Sequence, residues 1–70
     1  AAESPPEENA VLEAILQLPT DYKTVVYLYY YEGYTTGEIA KALHCLQPTV
    51  RTRLARARKQ LKLMLGGDLE

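Results

Sequence analysis

The sequence predicts a small all-α domain of four helices, without a wing, whose last two helices form a helix-turn-helix. Apolar residues recur at helical spacing in four segments, and each segment is bounded by Pro, Gly or a capping residue. The chain has 70 residues, which limits it to one domain. We expect this domain to span residues 8–66, after a disordered leader or linker end at residues 1–7. Residues 67–70 are interpreted as a tail, for which a vector origin is one explanation.

The first two helices precede the helix-turn-helix. From about Glu8 to Pro19 the apolar residues follow a helical pattern: Val11, Leu12, Ile15, Leu16 and Leu18. A second helix should begin near Thr20 or Asp21, either of which can cap it, and should stop at Gly33. Its β-branched and aromatic residues would also suit a strand. The length of about 12 residues between the cap and the glycine favours a buried helix.

The third helix has a well-marked beginning. Thr35 is a predicted N-cap, and Glu38 three residues later completes a capping box. The helix should run from about Thr36 to Leu43 and bury three residues: Ile39, Ala40 and Leu43. Residues 44–47 lack periodicity and are predicted to form the turn.

The last helix is amphipathic, and its two faces predict two tasks. Pro48 suits its first turn, where a missing N–H costs little. One face should join the core through Val50, Leu54, Ala57, Leu61 and either Met64 or Leu65, with Gly66-Gly67 ending the helix. The other face carries Arg51, Thr52, Ala55, Arg56 and Lys59. An α-helix fits the major groove of DNA, where Arg can bind guanine with two hydrogen bonds.

Charge is distributed unevenly along the chain, although the formal net charge is only −1. The residues before Lys23 include five acids and no base, whereas the segment from Arg51 to Lys62 contains six bases and no acid. We therefore expect an acidic partner at the carboxyl-terminal third. A basic face is often merely solvated, but the turn and the helix in front of it favour DNA binding.

Three segments resemble region 4 of bacterial sigma factors of the extracytoplasmic-function type. The first runs from Leu18 to Thr35, with Leu-Pro, then Tyr-Lys, then an apolar run that ends in Tyr-Tyr-Glu-Gly-Tyr-Thr. Glu38-Ile39-Ala40 and the segment 49–58, which reads Thr-Val-Arg-Thr-Arg-Leu-Ala-Arg-Ala-Arg, resemble the two halves of that family's helix-turn-helix. The similarity covers about Leu12 to Leu65.

The resemblance implies a noncatalytic reader of promoter DNA in the bacterial cytoplasm, associated with the nucleoid. In that family region 4 recognises the −35 element and docks on the β flap of RNA polymerase, and an anti-sigma factor is a further implied partner. Matched by position, the bases would face Arg51, Thr52, Ala55 and Arg56. The phosphate contacts would be Thr36, Thr49, Arg53 and Lys59.

Two positions depart from the family pattern, in which the turn usually carries Gly and the second helix usually opens with a capping residue such as Ser. Here these positions are His44 and Leu46. His tolerates the left-handed conformation less well than Gly, and losing an N-cap costs about 0.5–2 kcal/mol. We expect a turn of reduced stability and a recognition helix that is aimed differently.

The six tyrosines suit burial in the second helix better than stacking on single-stranded bases. One helix in so small a domain cannot bury its whole circumference, so some of Tyr27, Tyr30 and Tyr31 should stay exposed and dock a protein, with the polymerase flap as the candidate. His44 is interpreted as an ordinary turn residue, and Cys45 as a small core residue rather than a redox sensor.

Other function classes are less favoured. No Ser–His–Asp set, Gly-rich phosphate loop or paired metal ligands occur in the sequence, so we expect neither an enzyme nor a cofactor. No apolar run reaches the length of a membrane span. Two alternatives remain: a module that docks to polymerase or to an anti-sigma factor without reading bases, and a LuxR-type DNA-binding domain, against which the Leu-Pro to Glu-Gly-Tyr segment argues.

Overall fold

A computed structural model describes residues 6–66 and has four helical segments. Helix α1 spans Pro6–Leu16, α2 spans Thr20–Val26 and continues directly into a π-helical turn at Tyr27–Tyr31, α3 spans Thr36–Leu43, and α4 spans Gln47–Met64. The predicted all-α, four-helix architecture is confirmed. The predicted tail at 67–70 and most of the predicted leader lie outside the described residues.

Helix α1 begins earlier than expected. It includes Pro6 and Glu7, which the sequence reading assigned to the leader. Proline is tolerated at the first helical position, since the N–H that it lacks has no partner within the helix there. None of the helices in the described part of the chain is long and apolar enough to cross a bilayer.

The core is aliphatic and is organised around α4, which packs against α1, α2 and α3. Val25, Ile39, Val50 and Ala57 are completely buried. The other buried core residues are Ala14, Ile15, Leu18, Val26, Ala40, Leu54 and Leu61. The predicted core faces of α3 and α4 are thus confirmed, with Leu43 and Leu65 partly buried at the edge. Met64 is 43% exposed, so Leu65 and not Met64 continues the buried face of α4.

The predicted cap of α2 is wrong. Thr20 is already the first helical residue, and Pro19 occupies the N-cap position with φ −54° and ψ 151°. The Pro19 carbonyl accepts the first helical hydrogen bond, from the Lys23 N–H at 2.8 Å. Proline has no polar side chain, so α2 begins without a side-chain cap and depends on packing of Val25 and Val26.

The tyrosine-rich segment ends at Gly33, as predicted, in a left-handed residue with φ 78°. Within it, the Glu32 N–H donates to the Tyr27 carbonyl at 3.2 Å, the i+5 spacing of a π-turn. The expected burial of the tyrosines is wrong. Five of them are 40–52% exposed, namely Tyr27, Tyr29, Tyr30, Tyr31 and Tyr34, whereas Tyr22 is partly buried against the core.

The physical reason for this exposure is the order of the residues. Consecutive side chains on a helix point around its whole circumference, and Val25 and Val26 already fill the interior beneath this helix. The rings instead contact one another at the surface. Tyr27 stacks on Tyr31 at a centroid distance of 5.4 Å, and Tyr29 meets Tyr30 edge-on at 4.9 Å. The expectation that some of Tyr27, Tyr30 and Tyr31 stay exposed is confirmed for all three.

Candidate nucleic-acid interface

Helix α3 begins with the predicted capping box. The Glu38 N–H donates to the Thr35 hydroxyl oxygen at 3.1 Å, and the Thr35 N–H donates to the Glu38 carboxylate at 2.8 Å. These reciprocal bonds satisfy donors that a helix start otherwise leaves free. They fix where α3 begins and therefore the position of Thr36, its first residue.

The turn between α3 and α4 is tight and depends on a left-handed histidine. His44 has φ 58° and ψ 46° and ends α3, while the Cys45 N–H donates to the Ala40 carbonyl at 2.9 Å. His44 is exposed, and Cys45 is partly buried against the core as expected. Because α4 already begins at Gln47, the turn is one residue shorter than predicted.

Helix α4 begins without a side-chain cap, as its sequence implies. Leu46 occupies the N-cap position with φ −85° and ψ 149°, and its side chain is 73% exposed. Its carbonyl still accepts from the Thr49 N–H at 3.0 Å and from the Val50 N–H at 3.2 Å. Within α4 itself, the helix start is therefore held by backbone bonds.

A side-chain hydrogen bond that sequence reasoning missed joins the starts of the two helices. The Gln47 amide nitrogen donates to the Thr36 hydroxyl oxygen at 2.6 Å. The two residues are 11 positions apart, and no periodicity or motif pairs them. Because Thr36 uses its oxygen as the acceptor in this bond, its O–H remains available as a donor to another group. The bond fixes the amino end of α4 relative to α3.

The exposed face of α4 collects the predicted base-reading residues. Val50, Leu54, Ala57 and Leu61 turn inward. The intervening positions are exposed: Arg51, Thr52, Ala55, Arg56 and Lys59. Spacings of one, three and four residues place these five side chains on a single face of the helix. Three cations and two small side chains therefore share one solvent-facing surface.

The predicted phosphate-binding residues lie around this face. Thr49 and Arg53 are half-buried on its flank, and Thr36 is half-buried at the start of α3. Lys59 is exposed further along the same side of α4. The residues assigned to bases and to phosphates thus occupy adjoining parts of one surface. The Gln47–Thr36 hydrogen bond joins the part on α3 to the part on α4.

Arg58 follows Arg51 by seven residues, about two helical turns, so both lie on the same side of α4. It lines an apolar groove of about 420 Å³ between α1, α2 and α4. The groove is otherwise lined by Val11, Ile15, Val26, Tyr30, Tyr31 and Leu61. Arg58 therefore borders this groove at the far end of the basic face, a contact that only the folded structure reveals.

Tyr27 lines a second apolar groove, on the other side of α1. This groove has a volume of about 320 Å³ and includes Leu12, Leu16 and Leu28. Ile15 contributes to both grooves, and the Tyr27–Tyr31 stack connects them. The three tyrosines predicted to dock a protein consequently form one continuous exposed surface rather than separate patches.

Comparison with known proteins identifies the family to which this helix-turn-helix belongs. Residues 8–61 match the family model of sigma-70, region 4. The chain is a member of this family. The match covers the core, both helices of the helix-turn-helix and the tyrosine segment, and it favours the sigma interpretation over the LuxR-type alternative.

Several relatives are sigma factors by name. The chain is 39% identical over 56 residues to the probable RNA polymerase sigma factor RfaY of Xanthomonas campestris pv. campestris, covering 80% of this chain and 14% of that protein. It is 35% identical to the ECF RNA polymerase sigma factor SigL of Mycobacterium tuberculosis, with 89% of this chain and 38% of that protein covered. It is 37% identical to the ECF RNA polymerase sigma factor SigW of Bacillus subtilis, with 81% of this chain and 30% of that protein covered. The chain thus spans well under half of each relative.

Proposed function

We propose that this domain recognises the −35 element of promoter DNA as the carboxyl-terminal part of a sigma factor that directs RNA polymerase in the bacterial cytoplasm. The observation that carries the proposal is the exposed face of α4, the second helix of the helix-turn-helix. Five side chains lie together on this face: Arg51, Thr52, Ala55, Arg56 and Lys59. Membership of the sigma-70 region 4 family supports the same assignment.

Arg51 and Arg56 are the proposed guanine readers. Each guanidinium can donate two hydrogen bonds to the O6 and N7 atoms of one guanine, which discriminates against the wrong base by about 1–3 kcal/mol. Thr52 and Ala55 are small enough to let the helix backbone approach the base edges. Thr36, Thr49, Arg53 and Lys59 would bind phosphates and so set the orientation of the helix, without reading sequence themselves.

The tyrosine surface is the proposed site for the polymerase β flap. Tyr27, Tyr30 and Tyr31 are each about half exposed and lie beside apolar grooves, an arrangement typical of a protein-docking patch. Arg58 adds a cation at the edge of one groove, so a partner segment with apolar side chains and a nearby carboxylate fits it best. An anti-sigma factor that covered the same surface would compete with polymerase.

Binding of duplex DNA tests the proposed recognition of promoter DNA by α4. A preferred sequence is selected from a random duplex library, and its affinity is measured by fluorescence anisotropy. Arg51→Ala or Arg56→Ala should weaken binding by about 5–150-fold, which corresponds to the loss of one bidentate guanine contact. Arg58→Ala is the matched control, because it removes an equal charge from a side chain that lines the apolar groove and should leave specificity intact.

Tyr30→Ser tests the proposed docking of the tyrosine surface on the polymerase flap. It should weaken binding of the purified flap while leaving DNA affinity unchanged, since Tyr30 lies in the groove that Arg58 lines and not on the DNA-facing side. An effect confined to DNA binding would overturn the docking assignment. The exposed tyrosines also favour the second candidate function, a docking module that reads no bases; flap binding without any sequence preference on DNA would establish it.

A further inference from the structure

The amino end of α4 offers few backbone hydrogen-bond donors to a nucleic acid. The N–H groups of Thr49 and Val50 already donate to the Leu46 carbonyl, and Pro48 has no N–H. The N-cap residue, Leu46, has no side-chain donor or acceptor. Of the first four residues of the helix, only Gln47 keeps an uncommitted backbone N–H. The backbone of this helix end is consequently poorly suited to bind a phosphate, which recognition helices often do with such N–H groups, and the proposed phosphate contact of Thr49 falls to its side chain.

Pro48 lies at this end and is exposed. It precedes Arg51 by three residues and Thr52 by four, and these spacings place it on the DNA-facing side of α4. Gln47, by contrast, is turned toward α3, where its side chain holds Thr36. Pro48 is therefore the first side chain that the DNA-facing surface presents, and it is apolar in a surface otherwise rich in cations.

We infer that Pro48 determines specificity by contacting the 5-methyl group of a thymine in the major groove, next to the base that Arg51 reads. This inference rests on the proposed DNA-binding function. The 5-methyl group is the one apolar feature that the major-groove edges of the base pairs present, and apolar side chains recognise it. The pyrrolidine ring of Pro48 is apolar and can pack against this methyl group. Because proline has no backbone N–H, it cannot donate a hydrogen bond to a phosphate.

The test removes only the methyl group. Each thymine of the selected duplex is replaced in turn by uracil, and affinities are measured for the unaltered chain, for Pro48→Ser and for Leu46→Ser. Uracil at one position should weaken binding of the unaltered chain by about fourfold, the expected effect of exposing one buried methyl group. The same replacement should have no effect on Pro48→Ser, because its contact is already lost.

Leu46→Ser is the matched control. It changes the neighbouring exposed position of the same helix start, so it should keep the full uracil effect. Circular dichroism of both variants checks that α4 is intact. Sequence-specific binding that no uracil replacement weakens would overturn the inference and leave the proposed function standing, as would a uracil effect that persists in Pro48→Ser. Absence of sequence-specific binding to any duplex would instead overturn the proposed function itself.

Discussion

Replacing His44 by glycine should stabilise the domain. His44 has φ 58°, a conformation that costs an L-amino acid about 1–2 kcal/mol relative to glycine. Glycine in turn gives the unfolded chain more freedom, at a cost of about 0.5–1 kcal/mol. With the midpoint of each range, the net gain for His44→Gly is about 0.75 kcal/mol. For a domain of this size, that gain raises the melting temperature by about 3–6 °C.

The assay is thermal and urea unfolding followed by circular dichroism, with two comparison variants. Ala42→Gly, two residues earlier, lies within α3 and should lose up to about 1 kcal/mol, so the same new residue has opposite effects at neighbouring positions. His44→Ala keeps the left-handed penalty and removes the imidazole, so it should not gain stability. If His44→Gly lowered the melting temperature as Ala42→Gly does, the explanation from backbone strain would be refuted.

Three further variants test other parts of the structure. Leu46→Ser adds the missing N-cap of α4 and should raise the free energy of unfolding by about 0.5–2 kcal/mol in urea titrations; an unchanged midpoint would mean that serine does not cap this helix. Ile39→Ala truncates a fully buried side chain and should cost about 2–5 kcal/mol by the same measurement, whereas a loss below about 1 kcal/mol would show that the core repacks. Lys59→Ala should weaken binding to all duplexes alike and reduce the slope of log affinity against log salt by about 0.9, the loss of one phosphate contact; a change in sequence preference would instead make Lys59 a base reader.

Local signals in the sequence were sufficient to predict the helices and the exposed face of α4. The capping box at Thr35 and Glu38 involves residues three apart, and the spacing of Val50, Leu54, Ala57 and Leu61 defines the buried side of one helix. Both depend only on neighbours along the chain, so pattern and helical geometry predict them. The same reasoning failed at the start of α2, where Pro19 replaced the expected polar cap.

The tertiary structure alone decided how the surface is divided. Five tyrosines stay exposed because aliphatic residues from α1, α2 and α4 fill the interior, which composition does not reveal. Arg58 borders an apolar groove because α1 and α2 pack beside α4. The Gln47–Thr36 bond exists because the turn brings two helix starts together. The sequence by itself thus determined the helices and the face of α4 that is available to DNA, since these follow from local spacing. Which side chains join that face, and which form a second surface, depends on contacts between helices that are distant along the chain.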